Sequence, residues 1–285
     1  MSWYGKYMQV YGSPYDEVAY KDIVSQVRLN LEKLQSGQPL VTVSVIAYNE
    51  EKHLLACLWA LSELKTHYPI EIIGVDNDSK DRTGDIFRVL GIPYYTEFQH
   101  SCGYARSCGL SHAKGKYHVN IDADTLYPPE YVDRMIDVME YSHDIVGVSG
   151  TWGYFPNAKQ SRMELYIYEC VRDVYLRLQA WKRPELAVRG LVFVYRTEEA
   201  RKVGIRCDII RGEDGILAFG LRQYGKIAFL RHRKVRAITG YGTIGDGMLW
   251  KRFRIRVWQV LSKFTTLFTS AKEYKDEEHN LVKKV

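Results

Sequence analysis

The first half of the chain alternates short apolar runs with segments of helical periodicity, and this alternation constrains the fold more than any other feature of the sequence. Apolar runs cover 40–47, 71–75, 92–95 and 116–121, and helical spacing covers 15–35, 50–64, 81–90, 103–113 and 128–140. Strands that alternate with helices of this length form right-handed βαβ units. The sequence therefore predicts an α/β fold with a mostly parallel central sheet and helices on both faces.

The second half of the chain is less regular, and the whole sequence divides into three parts. Helical spacing recurs over 163–181, 214–224 and 248–268, and a strand is expected over 191–195. We expect an N-terminal helical extension over 1–39, a central domain over 40–240 with halves at 40–125 and 126–240, and a C-terminal flap and basic amphipathic helix over 241–285. The flap follows from the glycine-rich stretch 239–247, which lacks the lysine of a phosphate-binding loop.

Composition excludes several classes of protein. Apolar residues make up 46% of the 285 residues and charged residues 26%, which is usual for a globular chain and excludes a disordered or collagen-like one. No uninterrupted apolar stretch reaches the roughly 18–20 residues of a membrane-spanning helix, and residues 1–10 lack the pattern of a secretory signal. The five cysteines include no C-x-x-C pair, so we expect a reducing compartment and a cytoplasmic protein.

Acidic residues directly follow three of the predicted strands. Ligands of open α/β sheets bind at the carboxyl ends of the strands, where such carboxylates converge and need a cation. Oxygen ligands in an Asp-x-Asp arrangement suit Mg²⁺ or Mn²⁺. Helix capping explains any one cluster more simply, but three clusters at successive strand ends favour a functional site. The clusters are Asn49-Glu50, Asp76 with Asp78, and Asp122 with Asp124.

Four segments, taken together, resemble the motifs of the inverting family 2 glycosyltransferases. Each segment alone has counterparts in many unrelated proteins, whereas the four in that family's order are specific. The resemblance covers residues 41–225. The segments are Val43-Ser44-Val45-Ile46-Ala47-Tyr48-Asn49-Glu50, then 75–83 with Asp76 and Asp78, then 105–124 with Arg106 and Asp122-Ala123-Asp124, and finally Arg211-Gly212-Glu213-Asp214.

The resemblance implies a GT-A fold and a metal-dependent glycosyltransferase of the hexosyltransferase type. Such an enzyme moves a sugar from a nucleoside-diphosphate donor to a hydroxyl of a glycan or lipid-linked glycan, in polysaccharide or glycoconjugate biosynthesis. In that case 40–125 binds the nucleotide sugar and 126–240 binds the acceptor. Because the chain offers a single general base and no motif for a covalent nucleophile, we expect inversion at the anomeric carbon.

The resemblance also implies roles for individual residues. Asp214 would be the general base, with Glu213 as the second acid of the catalytic pair. Asp124 and Asp122 would hold Mg²⁺ or Mn²⁺. The donor-binding residues would be Ala47, Tyr48, Glu50, Asp76, Asp78, Arg106, Asp122 and Ala123. The chain departs from the family pattern at Asn77-Asp78, commonly Asp-Gly, and at Ser107-Cys108, commonly Asn and a variable residue.

Three other classes of protein compete with this interpretation. A sugar nucleotidyltransferase would carry a glycine-rich loop with Arg and Lys after the first strand, where this chain has Ala47-Tyr48-Asn49-Glu50. A non-catalytic scaffold that binds nucleotide sugars or a membrane would be expected to lose acids that this chain keeps. Nucleic-acid binding through the basic C-terminal third lacks an accompanying recognition motif, so we expect no nucleic-acid partner.

Positive charge is concentrated toward the C-terminus, in a chain with a formal net charge of +6. Two interpretations of helix 248–268 stay open: contact with an anionic membrane surface, which suits a peripheral enzyme with a lipid-linked acceptor, or packing on the core. His232 is open as a third metal ligand or as part of a solvated strand edge. The helix 163–181 lines the acceptor cleft, forms an interface between copies of the chain in a homo-oligomer, or packs on the core.

Overall fold

The strands of this computed structural model form one large and one small sheet in the described part of the chain, which comprises residues 2–156 and 162–240 together with Arg254. The strands are β1 (Val41–Ala47), β2 (Ile70–Asp76), β3 (Tyr94–Thr96), β4 (Tyr117–Asp122), β5 (Thr125–Leu126), β6 (Ile145–Ser149), β7 (Thr151–Tyr154), β8 (Phe193–Arg196), β9 (Lys226–Phe229) and β10 (Arg236–Thr239). The α-helices are α1 (Lys21–Leu34), α2 (Leu54–Ser62), α3 (Thr83–Val89), α4 (Cys102–His112), α5 (Tyr131–Tyr141), α6 (Arg162–Lys182), α7 (Pro184–Ala187), α8 (Thr197–Val203) and α9 (Glu213–Leu221). Short 3₁₀ turns cover Tyr7–Gln9, Gly190–Val192 and Arg233–Val235.

The large sheet has, within these residues, seven strands in the order β3-β2-β1-β4-β8-β6-β9. β1 runs parallel to β2 and β4, whereas β8 is antiparallel to its neighbours β4 and β6. Helices flank this sheet, so the predicted α/β fold with a mostly parallel sheet is confirmed. The register pairs Ala47 with Asp76 and Ile46 with Asp122, so the carboxyl ends of β1, β2 and β4 lie level.

The small sheet was not predicted from the sequence. It has the order β5-β10-β7, with β10 antiparallel to β5 and parallel to β7. Its strands contain two to four residues, too few for an alternating pattern to stand out. Because β5 begins at Thr125, directly after Asp124, the small sheet supports the chain just beyond the acidic turn that follows β4.

Two helices begin later than their spacing predicts, because polar side chains divert the chain before them. The predicted helix 50–64 is α2, which begins at Leu54. Asn49, expected to cap that helix, has a φ of 54°, and its side-chain oxygen instead accepts a hydrogen bond from the N–H of Lys80. α1 was predicted to begin at residue 15 but begins at Lys21. The Asp16 carboxylate accepts two backbone N–H groups in the turn before it.

Apolar side chains of the central strands and of the N-terminal extension share one core. Val43 and Val45 of β1 and Val119 of β4 have no exposed surface. α1 packs against α2, and Tyr7, which belongs to the extension, is 1% exposed. Ser44, which points to the opposite face of the sheet from Val43 and Val45, is 1% exposed, so β1 is covered on both faces. This burial on both faces helps to fix β1 and its neighbours β2 and β4 in place. Their polar carboxyl ends then project from the edge of this core.

Long apolar helices are absent from the described part of the chain: none of its helices has both the length and the apolar character needed to cross a bilayer. The predicted flap and the predicted helix 248–268 lie outside the described residues, apart from Arg254.

Candidate functional site

The carboxyl ends of β1, β2 and β4 lie side by side and carry the first three acidic turns. Ala47 ends β1 and pairs with Asp76, the last residue of β2. Asp122 ends β4, and the N–H of Ala123 donates to the Ile46 carbonyl at 3.1 Å. The parallel register therefore brings residues 47, 76 and 122–124 to one edge of the sheet, where open α/β sheets bind ligands.

Hydrogen bonds tie the turn after β1 to the turn after β2. Asn49 and Asp78 both adopt left-handed backbone, with φ of 54° and 57°, which their short polar side chains tolerate. The Asn49 side-chain oxygen accepts the N–H of Lys80 at 2.8 Å, and the N–H of Glu50 donates to the Thr83 hydroxyl at 2.8 Å. The two turns consequently form one unit.

The outer rim of this unit carries an aromatic ring and paired charges. Tyr48 is 51% exposed, and its ring centroid lies 5.2 Å from that of His100. The Asp78 carboxylate lies 2.8 Å from Lys80 Nζ and 3.4 Å from His100 Nε2. Hydrogen bonds from Lys80 lower the pKa of Asp78, so this carboxylate stays ionised. The rim thus presents an aromatic face on which a flat ring can stack.

Asp76 lies below that rim and is almost fully buried. One carboxylate oxygen accepts the N–H of Ser79 at 3.0 Å. The other faces the first turn of α3, where an added Cβ at Gly84 would lie 3.1 Å from it. The absence of a side chain at Gly84 therefore leaves room for this carboxylate at the end of β2.

Arg106 in α4 is the cation at the centre of a second acidic group. Its side chain is almost fully buried, with Nη1 2.5 Å from Glu213 and 2.6 Å from Asp214, and with Nη2 3.0 Å from Asp122. From the sequence we expected a metal to neutralise the converging acids. Of those acids, Asp122 meets a guanidinium of the same chain, which also pairs with Glu213 and Asp214 of the fourth motif.

Gly190 makes room for the guanidinium. It opens the 3₁₀ turn before β8, and a Cβ added there would overlap the Arg106 guanidinium. The Gly190 backbone also donates a hydrogen bond to Asp214. The sequence analysis missed this residue, because no local pattern distinguishes it from other glycines of the chain.

The surroundings of Asp214 shift its pKa to near neutral pH. Burial raises the pKa of Asp214 to about 7. Arg106 opposes that shift, whereas the negative charges of Glu213 and Asp122 add to it. A carboxyl with such a pKa gains and loses a proton near pH 7, as a general base must.

Asp124, directly after β4, belongs to a separate group with an excess of negative charge. The Thr125 hydroxyl donates to its Oδ1 at 2.9 Å, and the Tyr11 hydroxyl donates to its backbone carbonyl at 2.8 Å. Burial, together with the negative charges of Asp122 and Glu50, raises the pKa of Asp124 to about 6. This surplus of negative charge fits a divalent cation.

The turn of Asp122 and Asp124 fits a cation that protein and ligand hold together. No group of three or more His, Cys, Asp or Glu that could hold a metal ion by itself occurs in 2–156 or 162–240. Mg²⁺ and related ions need no such group, since they are commonly bound by one or two carboxylates together with substrate phosphates. The donor set present here therefore suits a metal that enters with a phosphorylated ligand.

His232, considered in the sequence analysis as a third metal ligand, lies before β10, at the end of that strand that is away from this turn. It precedes the 3₁₀ turn Arg233–Val235, and its Nδ1 accepts the N–H of Lys234 at 3.2 Å. The opposite end of β10, at Thr239, is the part that pairs with Thr125 beside Asp124. The length of β10 thus separates His232 from the acidic turn.

Two aromatic residues near Asp124 were not found by sequence reasoning. Tyr11 comes from the N-terminal extension, and its ring centroid lies 4.7 Å from that of His53. His53 Nδ1 lies 2.6 Å from the Glu50 carboxylate. Each is a single residue outside the quoted motifs, so only the folded chain reveals their place beside the acidic turn.

Comparison with known sequences gives matches to glycosyltransferases. A family model described as glycosyl transferase family 2 matches residues 42–202, more than half of the chain. A glycosyltransferase of Rickettsia prowazekii, named as uncharacterized, is 33% identical over 104 residues, or 35% of this chain and 32% of that protein. The undecaprenyl-phosphate 4-deoxy-4-formamido-L-arabinose transferase of Edwardsiella ictaluri is 31% identical over 121 residues, or 38% of this chain and 36% of that protein. The chain spans about a third of the length of these relatives.

Solved structures share the fold at low sequence identity. A mannosyltransferase from Pyrobaculum calidifontis, solved with GDP-Man and Mn²⁺, has a TM-score of 0.58 and 18% identity, covering 96% of this chain and 78% of that one. Glucosyl-3-phosphoglycerate synthase from Mycobacterium tuberculosis, solved with Mn²⁺, UDP-glucose and glycerol 3-phosphate, has a TM-score of 0.51 and 17% identity, covering 85% of this chain and 84% of that one. The central sheet with its flanking helices matches these neighbours, which confirms the predicted GT-A fold.

Proposed function

Because the chain belongs to glycosyl transferase family 2, we propose that it is an inverting glycosyltransferase that moves a sugar from a nucleoside-diphosphate donor to a hydroxyl acceptor. One observation carries the proposal: Asp122, Glu213 and Asp214 gather on one buried arginine at the ligand-binding edge of the sheet. The group combines a base of suitable pKa with an acidic turn that can face a diphosphate.

The donor nucleotide would lie across the joined turns after β1 and β2. Tyr48 offers the exposed aromatic face for the base, and Asp76 a carboxylate for the ribose hydroxyls. Ala47 and Ala123 have small side chains, so the ligand can approach the backbone there. The sugar of the donor is a hexose in both solved neighbours described above, which supports a hexosyl donor here.

We assign the metal to Asp124, with Asp122 on the same turn as a second ligand. The excess negative charge at Asp124, to which Glu50 contributes, supports a divalent cation, and both neighbours were solved with Mn²⁺. Mg²⁺ or Mn²⁺ held there would counter the negative charge of the diphosphate. One Asp122 oxygen is already bonded to Arg106, so Asp124 is the main protein ligand in this proposal.

Asp214 would act as the general base. Its carboxylate takes the proton of the acceptor hydroxyl while the hydroxyl oxygen bonds to the anomeric carbon. The bond from that carbon to the diphosphate oxygen breaks, and its electron pair leaves with the diphosphate. A single displacement inverts the anomeric configuration. Glu213, the second acid of the pair, shares Nη1 of Arg106 with Asp214 and so keeps the base in position.

One helix of the proposed acceptor half, α6, supports a lipid-linked acceptor. Within 163–181, the part of α6 whose side chains the structure describes, eight residues are exposed and seven of them are apolar. An exposed apolar stripe of this length is unusual on a helix in contact only with water. The Edwardsiella ictaluri relative is named as a transferase for undecaprenyl-phosphate. We therefore propose that α6 faces the lipid part of the acceptor. The apolar residues are Met163, Tyr166, Ile167, Val171, Val174, Leu178 and Trp181.

Thermal unfolding with a panel of UDP-, GDP-, CMP- and dTDP-sugars and Mn²⁺ tests the proposed donor. A ligand that binds only the folded chain raises Tm, and at 100 times its Kd it adds about 2.7 kcal/mol. We expect one nucleotide class to raise Tm with Mn²⁺ and to lose most of that effect with EDTA. No shift with any donor would contradict the proposal, and an undiminished shift in EDTA would remove the metal.

Activity assays, rather than binding, separate the two alternative functions. A sugar nucleotidyltransferase would release pyrophosphate from a nucleoside triphosphate and a sugar phosphate. A non-catalytic scaffold would bind the nucleotide sugar without hydrolysing or transferring it. Transfer or slow donor hydrolysis that depends on Asp214 distinguishes the proposed enzyme from both.

A further inference from the structure

The N-terminal extension is anchored on α2 before it reaches the acidic turns. Tyr7 is buried, its hydroxyl donates to Glu63 at 2.8 Å, and its ring lies 5.3 Å from that of Trp59. Val10 is also buried. These contacts hold the segment in place, although it lies outside the part of the chain that matches the family model.

The two residues that follow reach both the turn after β1 and the turn after β4. The Tyr11 hydroxyl donates to the Asp124 carbonyl at 2.8 Å. The N–H of Gly12 donates to the Lys52 carbonyl at 2.8 Å, and a φ of 83° at Gly12 allows the chain to turn there. The extension thus links the turn after β1 to the proposed metal-binding turn after β4.

The Tyr11 ring is packed in a way that aims its hydroxyl. Its centroid lies 4.7 Å from the His53 ring and 4.6 Å from the Phe155 ring. A ring held by two neighbours has little freedom to rotate away from the carbonyl it bonds. The hydrogen bond to Asp124 is therefore built into the packing of the extension.

We propose that Tyr11 is a positioning residue for the metal site, because its hydroxyl fixes the backbone of Asp124 and hence the direction of the Asp124 carboxylate. The inference rests on the proposed function, in which Asp124 is the metal ligand. Replacing a group that orients a metal ligand typically lowers metal affinity by about 10–100-fold. A segment outside the family model would in this way complete the active site of this chain.

Two tyrosine-to-phenylalanine variants provide a matched test. Tyr11→Phe removes the bond to Asp124 and keeps the ring, while Tyr7→Phe removes a bond of the same length from the same segment, to Glu63 directly after α2. Mn²⁺ affinity is measured by electron paramagnetic resonance in the presence of UDP and, separately, GDP. We expect Tyr11→Phe to weaken Mn²⁺ binding about 10-fold and Tyr7→Phe to leave it unchanged.

Hydrogen–deuterium exchange of the peptide covering 121–127 gives a second measurement that needs no metal. Faster exchange in Tyr11→Phe than in Tyr7→Phe is the expected result, since only the first variant frees the Asp124 turn. Equal exchange and equal Mn²⁺ affinity in the two variants would overturn the inference. A wild-type protein that binds no Mn²⁺ would defeat the proposed metal, whereas the exchange comparison would still decide whether Tyr11 holds the turn.

Discussion

A single buried guanidinium cannot neutralise three carboxylates, and at the scale of residues this imbalance governs the site. Arg106 carries one positive charge against Asp122, Glu213 and Asp214. Removing charged groups from water is costly unless each is paired. Part of the negative charge is therefore left to be relieved by protonation of Asp214 or by a cation that enters with the substrate.

Replacing the proposed base should abolish transfer and spare donor binding. We expect Asp214→Asn to lower kcat by about 10²–10⁴-fold, since the amide cannot accept the acceptor proton. Donor Kd, measured by calorimetry, should change little. Glu213→Gln is the matched control, because both acids bond the same Arg106 nitrogen. Equal losses in the two variants would mean that the ion pair matters and that Asp214 is not the base.

Activity should increase as pH rises through about 7. Asp214 must be ionised to accept a proton, and burial raises its pKa from 3.8 to about 7. Since the folded-state pKa lies above the unfolded value, the stability linked to the protonated carboxyl is complete below pH 3.8 and is lost as pH rises through about 7. A profile of kcat/KM against pH checks this expectation, and a profile that is flat across neutral pH would contradict it.

At the scale of elements, hydrogen bonds join the turns after β1 and β2 into one unit, which forms part of the proposed donor site. Their strands are neighbours in the sheet, and backbone groups of each turn bond side chains of the other, as Glu50 and Thr83 do. A ligand laid across both turns meets groups that are already ordered. Such preorganisation reduces the entropy lost on binding.

The two contributions of Asn49 to this unit can be separated by mutation. Asn49→Gly removes the side-chain acceptor for Lys80 and keeps the left-handed backbone, so we expect a loss of about 0.5–1.5 kcal/mol in the free energy of unfolding. Asn49→Ala adds the strain of a φ of 54° and should cost about 1 kcal/mol more. Urea unfolding of both variants measures the difference, and equal losses would show that backbone strain is unimportant here.

Local patterns in the sequence predicted β1 to β4, β8 and the turns after the first strands. They did not predict β6 and β9 of the large sheet, and they carry no record of side-chain contacts between distant segments. The runs that became β1, β2 and β4 are apolar because both faces of these strands are buried, and the polar residues after them mark the edge of the core. By contrast, Arg106 meets Glu213 and Tyr11 meets Asp124 across long stretches of chain. No periodicity records such pairs, and the strands of the small sheet are too short to show one.

At the scale of the whole molecule, the chain joins a polar ligand-binding edge to an uncovered apolar helix. The edge is formed by residues far apart in sequence, and the N-terminal extension completes the core beside it. In 163–181 of α6, by contrast, most of the exposed residues are apolar. An enzyme that joins a water-borne donor to a membrane-borne acceptor needs both kinds of surface.

A charge placed on the apolar face of α6 should weaken contact with lipid and leave folding intact. Val174 is 51% exposed, so Val174→Glu should shift Tm little and should reduce flotation with vesicles of equal parts phosphatidylcholine and phosphatidylglycerol. Val18→Glu is the matched control, since Val18 is 86% exposed and lies outside α6. Wild-type protein that does not float with these vesicles, or equal effects of both variants, would contradict a lipid-facing α6.

Because Gly190 fits closely against Arg106, we expect substitutions at these two distant positions to depend on each other. Either a side chain at 190 or the guanidinium can occupy that volume, but not both. A side chain at 190 therefore displaces the guanidinium from its present position or requires another residue at 106, and either change disturbs the counter-charge of three acids. Across diverging sequences the two sites should change in step, with glycine retained wherever the arginine persists.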